Sequence, residues 1–165
     1  MSIVSVSTPS RICLFGEHQD YLGLEVIASA IDLRFSAKIT HRRDSLLAIR
    51  IRDDRIAGLN EENTTGSYNE YTIDLSAPIV YSSKRDYFKS VVNVLRRHGF
   101  SVHGADITMD STIPIGKGMC SSTTMVLAFV KALMELFENP GHDDPFLLAE
   151  LAWEAEVGEF GEPGG

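Results

Sequence analysis

Alternating apolar and polar positions dominate the first half of the chain. Residues 2–8 and 11–15 form two apolar stretches separated by Pro9 and Ser10, which predicts two short strands that meet at a corner. Similar patterns predict further strands at residues 26–31, 34–41 and 46–51. Because their polar positions alternate with apolar ones, we expect an antiparallel meander with one buried face.

Helical periodicity marks the second half. Residues 87–98 repeat apolar side chains at helical intervals and stop at Gly99, and residues 120–137 are apolar on more than one face. Asp144 followed by Pro145 is typical of the start of a last helix. An edge strand is expected at 71–75, and another strand at 100–109 leads into a loop containing glycine. The pattern predicts an α+β domain with a mostly antiparallel N-terminal sheet packed by three or more helices.

Composition narrows the classes of function. The 165 residues suit about one domain, and the net charge of −8 argues against nucleic acid or an anionic membrane as a partner. Neither a signal sequence nor a long apolar span is visible, so we expect a cytoplasmic protein. Cys13 and Cys120 are expected to be reduced thiols. Cys120 lies near a predicted helix start, where its pKa could fall, although a small packed residue is the simpler interpretation.

Residues 113–124, IPIGKGMCSSTT, place Gly116 and Gly118 before a run of hydroxyl side chains that opens the long helix. Glycine allows close approach to a ligand, and a helix start offers free N–H groups, so the stretch suits a phosphate. One hydroxyl could also hold Mg²⁺. The alternative is an ordinary glycine turn with several capping residues. The stretch contains no GxxxxGK[ST] motif, and Ser121 stands where GxGxxG needs its third glycine.

Two further groups of charged residues are candidates for chemistry. The first group is Arg11, Glu17, His18 and Asp20, and one interpretation is a solvated turn. The alternative is a binding site in which the arginine binds anionic oxygens and the carboxylates accept hydrogen bonds from the hydroxyls of a polyol. A metal site built from the last three is a weaker interpretation. Glu156 lies beside the apolar stripe of the last helix, where it makes a surface salt bridge or completes a Mg²⁺ site with the loop hydroxyls.

Three stretches together resemble the GHMP kinase superfamily, named for galacto-, homoserine, mevalonate and phosphomevalonate kinases, and within it the galactokinase-like branch. Residues 9–21, PSRICLFGEHQDY, resemble the first motif of the sugar kinases; residues 114–124 resemble their phosphate loop; and residues 154–165 resemble the start of the AEHxFxGxPxGxMD segment. The resemblance implies that residues 1–165 are the ATP-binding N-terminal domain, truncated before the catalytic aspartate and lacking the C-terminal ferredoxin-like domain.

The resemblance also implies roles for individual residues. Arg11 would stabilise the transferring phosphoryl group, and Ser122 and Glu156 would hold Mg²⁺. Glu17, His18, Asp20 and Tyr21 would position the substrate. The triphosphate of ATP would lie on the loop residues Gly116, Lys117, Gly118, Met119, Cys120, Ser121 and Ser122.

The expected function is therefore ATP-dependent phosphorylation of a small hydroxylated substrate, with a monosaccharide at its anomeric hydroxyl favoured. Gln19 replaces the usual threonine of the first motif, so the sugar need not be galactose. We expect the fragment to be inactive alone and to need the missing C-terminal half of the kinase. The alternatives are a GHMP kinase of the L-threonine or mevalonate type, a non-catalytic nucleotide- or metabolite-binding module, and a metal-dependent hydrolase.

Overall fold

A five-stranded sheet runs through the computed structural model, which describes residues 3–17, 19, 22–52, 68–114 and 118–161. The strand order is β1-β2-β5-β3-β4, with β3 parallel to β5 and the other neighbours antiparallel. The strands are β1 (Ile3–Phe15), β2 (Ile27–His41), β3 (Leu46–Arg52), β4 (Tyr68–Asp74) and β5 (Ala105–Ser111). The mostly antiparallel sheet is confirmed, and so is the edge position of β4. The meander is wrong, because β5 inserts between β2 and β3.

The predicted corner after the first strand is also wrong. Pro9 and Ser10 both lie within β1, where the pairing shifts from Pro9 opposite Arg34 to Ser10 opposite Ile31. Proline has no N–H to donate, and an edge strand accommodates it through such an irregularity. β2 likewise continues through the two segments that the sequence pattern predicts as separate strands.

The described part of the chain contains three α-helices: α1 (Tyr87–Arg97), α2 (Ser121–Leu136) and α3 (Pro145–Trp153). Helix α2 packs on β1 and β2, and both α1 and α3 pack against α2. The positions and types of all three are as predicted. Gly99 follows α1 with a φ of 79°, a conformation that glycine adopts without strain. The side chain of Asp144 accepts hydrogen bonds from the backbone N–H groups of Phe146 and Leu147 at the start of α3.

The core lies between the sheet and these helices. Apolar side chains at alternate positions of β2, β3 and β5 are buried in one core cluster with apolar side chains of α1, α2 and α3, as the period of two requires. The largest fully buried side chains include Ile39, Leu47, Ile107, Phe129 and Leu151. Within the described ranges, none of the helices has the length and apolar character needed to cross a membrane.

After α3 the backbone widens into a π-helical turn, Glu154–Gly158. The backbone N–H of Glu159 donates to the carbonyl of Glu154, five residues back, at 2.9 Å. Such single turns of π-helix occur mostly inside or at the ends of α-helices and are frequent at functional sites. This turn carries Glu156.

Candidate active site

Hydroxyl side chains on β1 anchor the start of α2. Thr8 Oγ1 donates to the carbonyl of Thr124 at 3.0 Å, and Ser10 Oγ donates to the carbonyl of Met119. Both side chains are buried, so these hydrogen bonds lie in the interior. They bring the loop before α2 onto β1, the strand that carries the first of the three sequence motifs.

The backbone before α2 adopts a left-handed conformation twice. Gly118 has a φ of 71° and Cys120, the residue before the helix, has a φ of 50°. A left-handed conformation costs a residue with a side chain about 1–2 kcal/mol and is enriched at ligand-binding sites. Among the described residues, no side chain caps the start of α2. The capping hydroxyls of the alternative interpretation are therefore not found there, and backbone N–H groups at a helix start suit an anion.

Ser122 and Glu156 meet at this helix start. Ser122 Oγ donates to Glu156 Oε1 at 2.7 Å, and Glu156 is only 7% exposed. The sequence allowed two partners for Glu156, a surface cation or a loop hydroxyl. The structure shows the loop hydroxyl of Ser122. A carboxylate and a hydroxyl side by side are the hard oxygen ligands that Mg²⁺ takes from proteins, so the pair fits the metal that the sequence predicts here.

Arg11 and Glu17 form an ion pair at the far end of β1, with Nη1 and Oε1 3.5 Å apart. Ser10 on β1 donates to the carbonyl of Met119, and Ser122 donates to Glu156, so the three sequence motifs converge on the loop around Cys120.

The pKa of Cys120 is raised, contrary to the fall that its place at a helix start suggested. Burial is the largest cause, the charge of Arg11 opposes it, and the charges of Glu17 and Glu156 add to the rise. The pKa of Cys13 is raised as well, first by burial and then by a hydrogen bond with Glu17. Cys13 and Cys120 form no disulfide, and both are half-buried.

Several predicted site residues lie outside the described part of the chain, namely His18, Asp20, Tyr21, Gly116 and Lys117. Their roles stay predictions. Two of the three residues of the alternative metal site are among them, and the described residues contain no other group of three or more His, Cys, Asp or Glu side chains that could hold a metal ion.

Thr8 and Ser10 are site-building residues that the sequence interpretation missed. A signal for them exists, because positions 8 and 10 have the same parity as buried Val6 and therefore point into the core. A hydroxyl at an inward position of a strand needs a partner, and here that partner is the backbone of the loop and of the helix start.

Family models match two parts of this chain. Residues 86–165 match the GHMP kinases N terminal domain, a family of ATP-dependent kinases. Residues 2–40 match the galactokinase galactose-binding signature. The first match includes the loop before α2, Ser122 and Glu156, whereas the second includes Arg11 and Glu17.

Among curated proteins, the chain is 30% identical over 135 residues to a mevalonate kinase from Thermococcus sibiricus, covering 81% of this chain and 39% of that protein. The chain thus spans about 39% of the length of the curated relatives it matches.

Two solved structures share its fold. The Methanococcus jannaschii mevalonate kinase has a TM-score of 0.74 at 23% identity over 98% of this chain and 48% of that one. The Lactococcus lactis galactokinase complexed with galactose has a TM-score of 0.74 at 22% identity over 99% and 40%.

Proposed function

We propose that this protein transfers the terminal phosphoryl group of ATP to a small hydroxylated substrate, and that the substrate is a monosaccharide phosphorylated at its anomeric hydroxyl. The observation that carries the proposal is the Ser122–Glu156 pair at the uncapped start of α2. The match of residues 2–40 to a galactose-binding signature supports a sugar as the acceptor.

In this proposal residues 1–165 form the ATP-binding domain, and the triphosphate lies at the start of α2. Backbone N–H groups of the first helical turn and of the loop from Gly116 to Ser122 donate to its oxygens, and the partial positive charge of the helix start favours them. Lys117 adds a full positive charge. The hydroxyls of Thr8 and Ser10 keep the loop in place on β1.

Ser122 and Glu156 hold Mg²⁺ in the proposed site. The metal, when bound, neutralises charge on the phosphate oxygens. Phosphoryl transfer needs little covalent chemistry from the protein, so the contribution of these two side chains is to fix where the phosphate chain lies.

Arg11 is the proposed catalytic residue. Its guanidinium is only partly exposed and its contact with Glu17, at 3.5 Å, is long for an ion pair, so its N–H groups are free to turn toward a phosphoryl group. The hydroxyls of the sugar are oriented by hydrogen bonds with four side chains, those of Glu17, His18, Asp20 and Tyr21.

The test is a phosphorylation assay on the complete gene product with Mg–ATP and a panel of galactose, other aldohexoses, a heptose and mevalonate. Product formation is followed by ³¹P NMR and nucleotide binding by calorimetry. We expect a sugar 1-phosphate. Absence of any nucleotide binding would overturn the proposal.

A second candidate is a kinase of the mevalonate type, since the curated relatives quoted above carry that name. The same panel separates the two, because a primary alcohol and an anomeric hydroxyl give different ³¹P spectra. Binding of Mg–ATP without transfer to any acceptor would instead favour a non-catalytic nucleotide-binding module.

A further inference from the structure

Arg97, the last residue of helix α1, contacts carboxylates at both ends of the π-helical turn. Arg97 Nη2 lies 2.5 Å from Glu154 Oε1 and 2.5 Å from Glu159 Oε1, so it bridges the two ends of the turn. His98 Nε2 contacts the second oxygen of Glu154 at 2.6 Å, and Tyr81 donates its hydroxyl proton to the second oxygen of Glu159. Glu154 precedes Glu156 in the sequence and Glu159 follows it.

A buried serine on α1 holds the middle of the same turn. Ser90 is fully buried, and its Oγ lies 2.7 Å from the carbonyl oxygen of Ala155, the residue before Glu156, and 2.9 Å from that of Tyr87 in its own helix. In an α-helix that carbonyl would accept from the N–H of Glu159, but here Glu159 donates to Glu154 instead. The Ser90 hydroxyl therefore provides a partner for Ala155 in the wider π-helical geometry.

We propose that Ser90 and Arg97 are positioning residues that keep Glu156 against Ser122, a role that rests on the proposed function. The π-helical turn advances the backbone by one extra residue, which changes the direction in which Glu156 leaves the helix. Ser90 fixes the peptide next to Glu156, and Arg97 fixes both ends of the turn. Neither is among the residues proposed to bind substrate or nucleotide, so they would act on the metal site through Glu156.

A purely stabilising role is the alternative. The Arg97 side chain is 50% exposed, and exposed ion pairs contribute little to folding. The two roles differ in what they change. Loss of a positioning residue weakens metal binding, whereas loss of a merely stabilising ion pair lowers the free energy of unfolding and leaves metal affinity alone.

Arg42 provides a matched control. It also bridges two carboxylates, those of Asp44 and Asp106. Arg42 lies just past the end of β2, beside the start of β5. The loop before α2 instead follows the end of β5. Arg42→Gln therefore removes a comparable ion-pair network at the opposite end of the sheet.

The experiment measures Mn²⁺, a paramagnetic substitute for Mg²⁺, by electron paramagnetic resonance in the presence of ATP, using the complete gene product. We expect Ser90→Ala and Arg97→Gln each to weaken Mn²⁺ affinity about tenfold. Affinity for ATP without metal should stay unchanged, Arg97→Lys should restore part of the loss, and Arg42→Gln should bind Mn²⁺ like the wild type.

Urea unfolding of every variant reports its folding stability separately. Unchanged Mn²⁺ affinity in both Ser90→Ala and Arg97→Gln would overturn the inference, as would an equal loss in Arg42→Gln. If the wild-type protein with ATP binds no Mn²⁺, the proposed function fails together with the inference. If the wild type binds Mn²⁺ and the Ser90→Ala and Arg97→Gln variants bind it equally well, only the inference fails and the proposed function stands.

Discussion

Ser122 and Glu156 are 34 positions apart in sequence, yet their side chains share a hydrogen bond of 2.7 Å. Each is delivered by a different element, Ser122 by the first turn of α2 and Glu156 by the π-helical turn after α3. Burying a carboxylate costs free energy unless a partner satisfies it, so the pair would not be expected as a by-product of packing.

Replacing the Glu156 carboxylate by an amide tests its proposed role at the metal. Glu156→Gln keeps the size of the side chain and an oxygen that accepts from Ser122, but it removes the negative charge. We expect the Mg²⁺ concentration needed for half-maximal phosphorylation to rise at least about tenfold, with the fold retained. Glu150→Gln, at an exposed position of α3, should leave the Mg²⁺ dependence unchanged. Equal Mg²⁺ dependence in the two variants would contradict the assignment.

The role proposed for Arg11 predicts a loss in kcat rather than in nucleotide affinity. Arg11→Met removes the positive charge near the transferring group, and we expect kcat to fall on the order of 10³-fold. Arg11→Lys keeps the charge without the planar fork and should recover only part of the rate. The control is Arg50→Met, whose arginine pairs with Glu70 on the exposed side of β3 and β4. A loss confined to KM for ATP would argue against a catalytic role.

The helices could be predicted from the sequence because local signals define them. Gly99 ends α1 with a positive φ, and Asp144 with Pro145 begins α3, so each boundary is set by residues adjacent to it. Helical spacing also singled out Glu156 by placing it beside the apolar stripe, although the residue lies in a π-helical turn that this spacing does not predict.

The strand order and the π-helical turn could not be predicted in this way. β5 lies between β2 and β3 because of pairings such as Ile39 with Ile107 and Ile49 with Ile107, which join residues far apart in sequence. Nothing in the local alternation distinguishes that arrangement from a meander. The contacts of the π-helical turn with Ser90 and Arg97 come from another helix, so they leave no signal within residues 154–158.

The start of α3 offers a comparison between two adjacent aspartates. Asp144 accepts from two backbone N–H groups of the first turn, whereas the exposed side chain of Asp143 pairs with Lys131. We expect Asp144→Ala to lower the free energy of unfolding by about 1 kcal/mol, and Asp143→Ala to lower it less. Urea denaturation of both variants measures the difference. The reverse order would mean that the ion pair, not the cap, stabilises this helix.

Asp44 should make stability depend on pH in the acid range. The Arg42 guanidinium donates to both carboxylate oxygens and lowers the pKa of Asp44 from its ordinary 3.8 to about 2. Between these two pKa values the folded state therefore binds fewer protons than the unfolded state. The contribution of Asp44 to the free energy of unfolding is complete above pH 4 and is lost as the pH falls toward 2. In Arg42→Gln the carboxyl should titrate near 3.8 by NMR. Titration near 3.8 in the wild type would contradict the pairing.

The reactivity of the Cys120 thiol tests whether the three motifs lie close together, and it can be measured without an enzyme assay. Its raised pKa leaves little thiolate at neutral pH, so we expect iodoacetamide to alkylate it more slowly than a cysteine in an unfolded chain. The experiment uses Cys13→Ser as background, so that one thiol remains, and follows the reaction by mass spectrometry from pH 7 to 10.

Adding Glu156→Gln to that background removes a negative charge that raises the pKa of Cys120, and the rate at neutral pH should therefore increase. Arg11→Met removes an opposing positive charge and should slow the reaction further. Glu150→Gln should change nothing. A general loosening of the fold would accelerate the reaction in both variants. Opposite changes in rate would instead indicate the charges of Glu156 and Arg11 acting on Cys120.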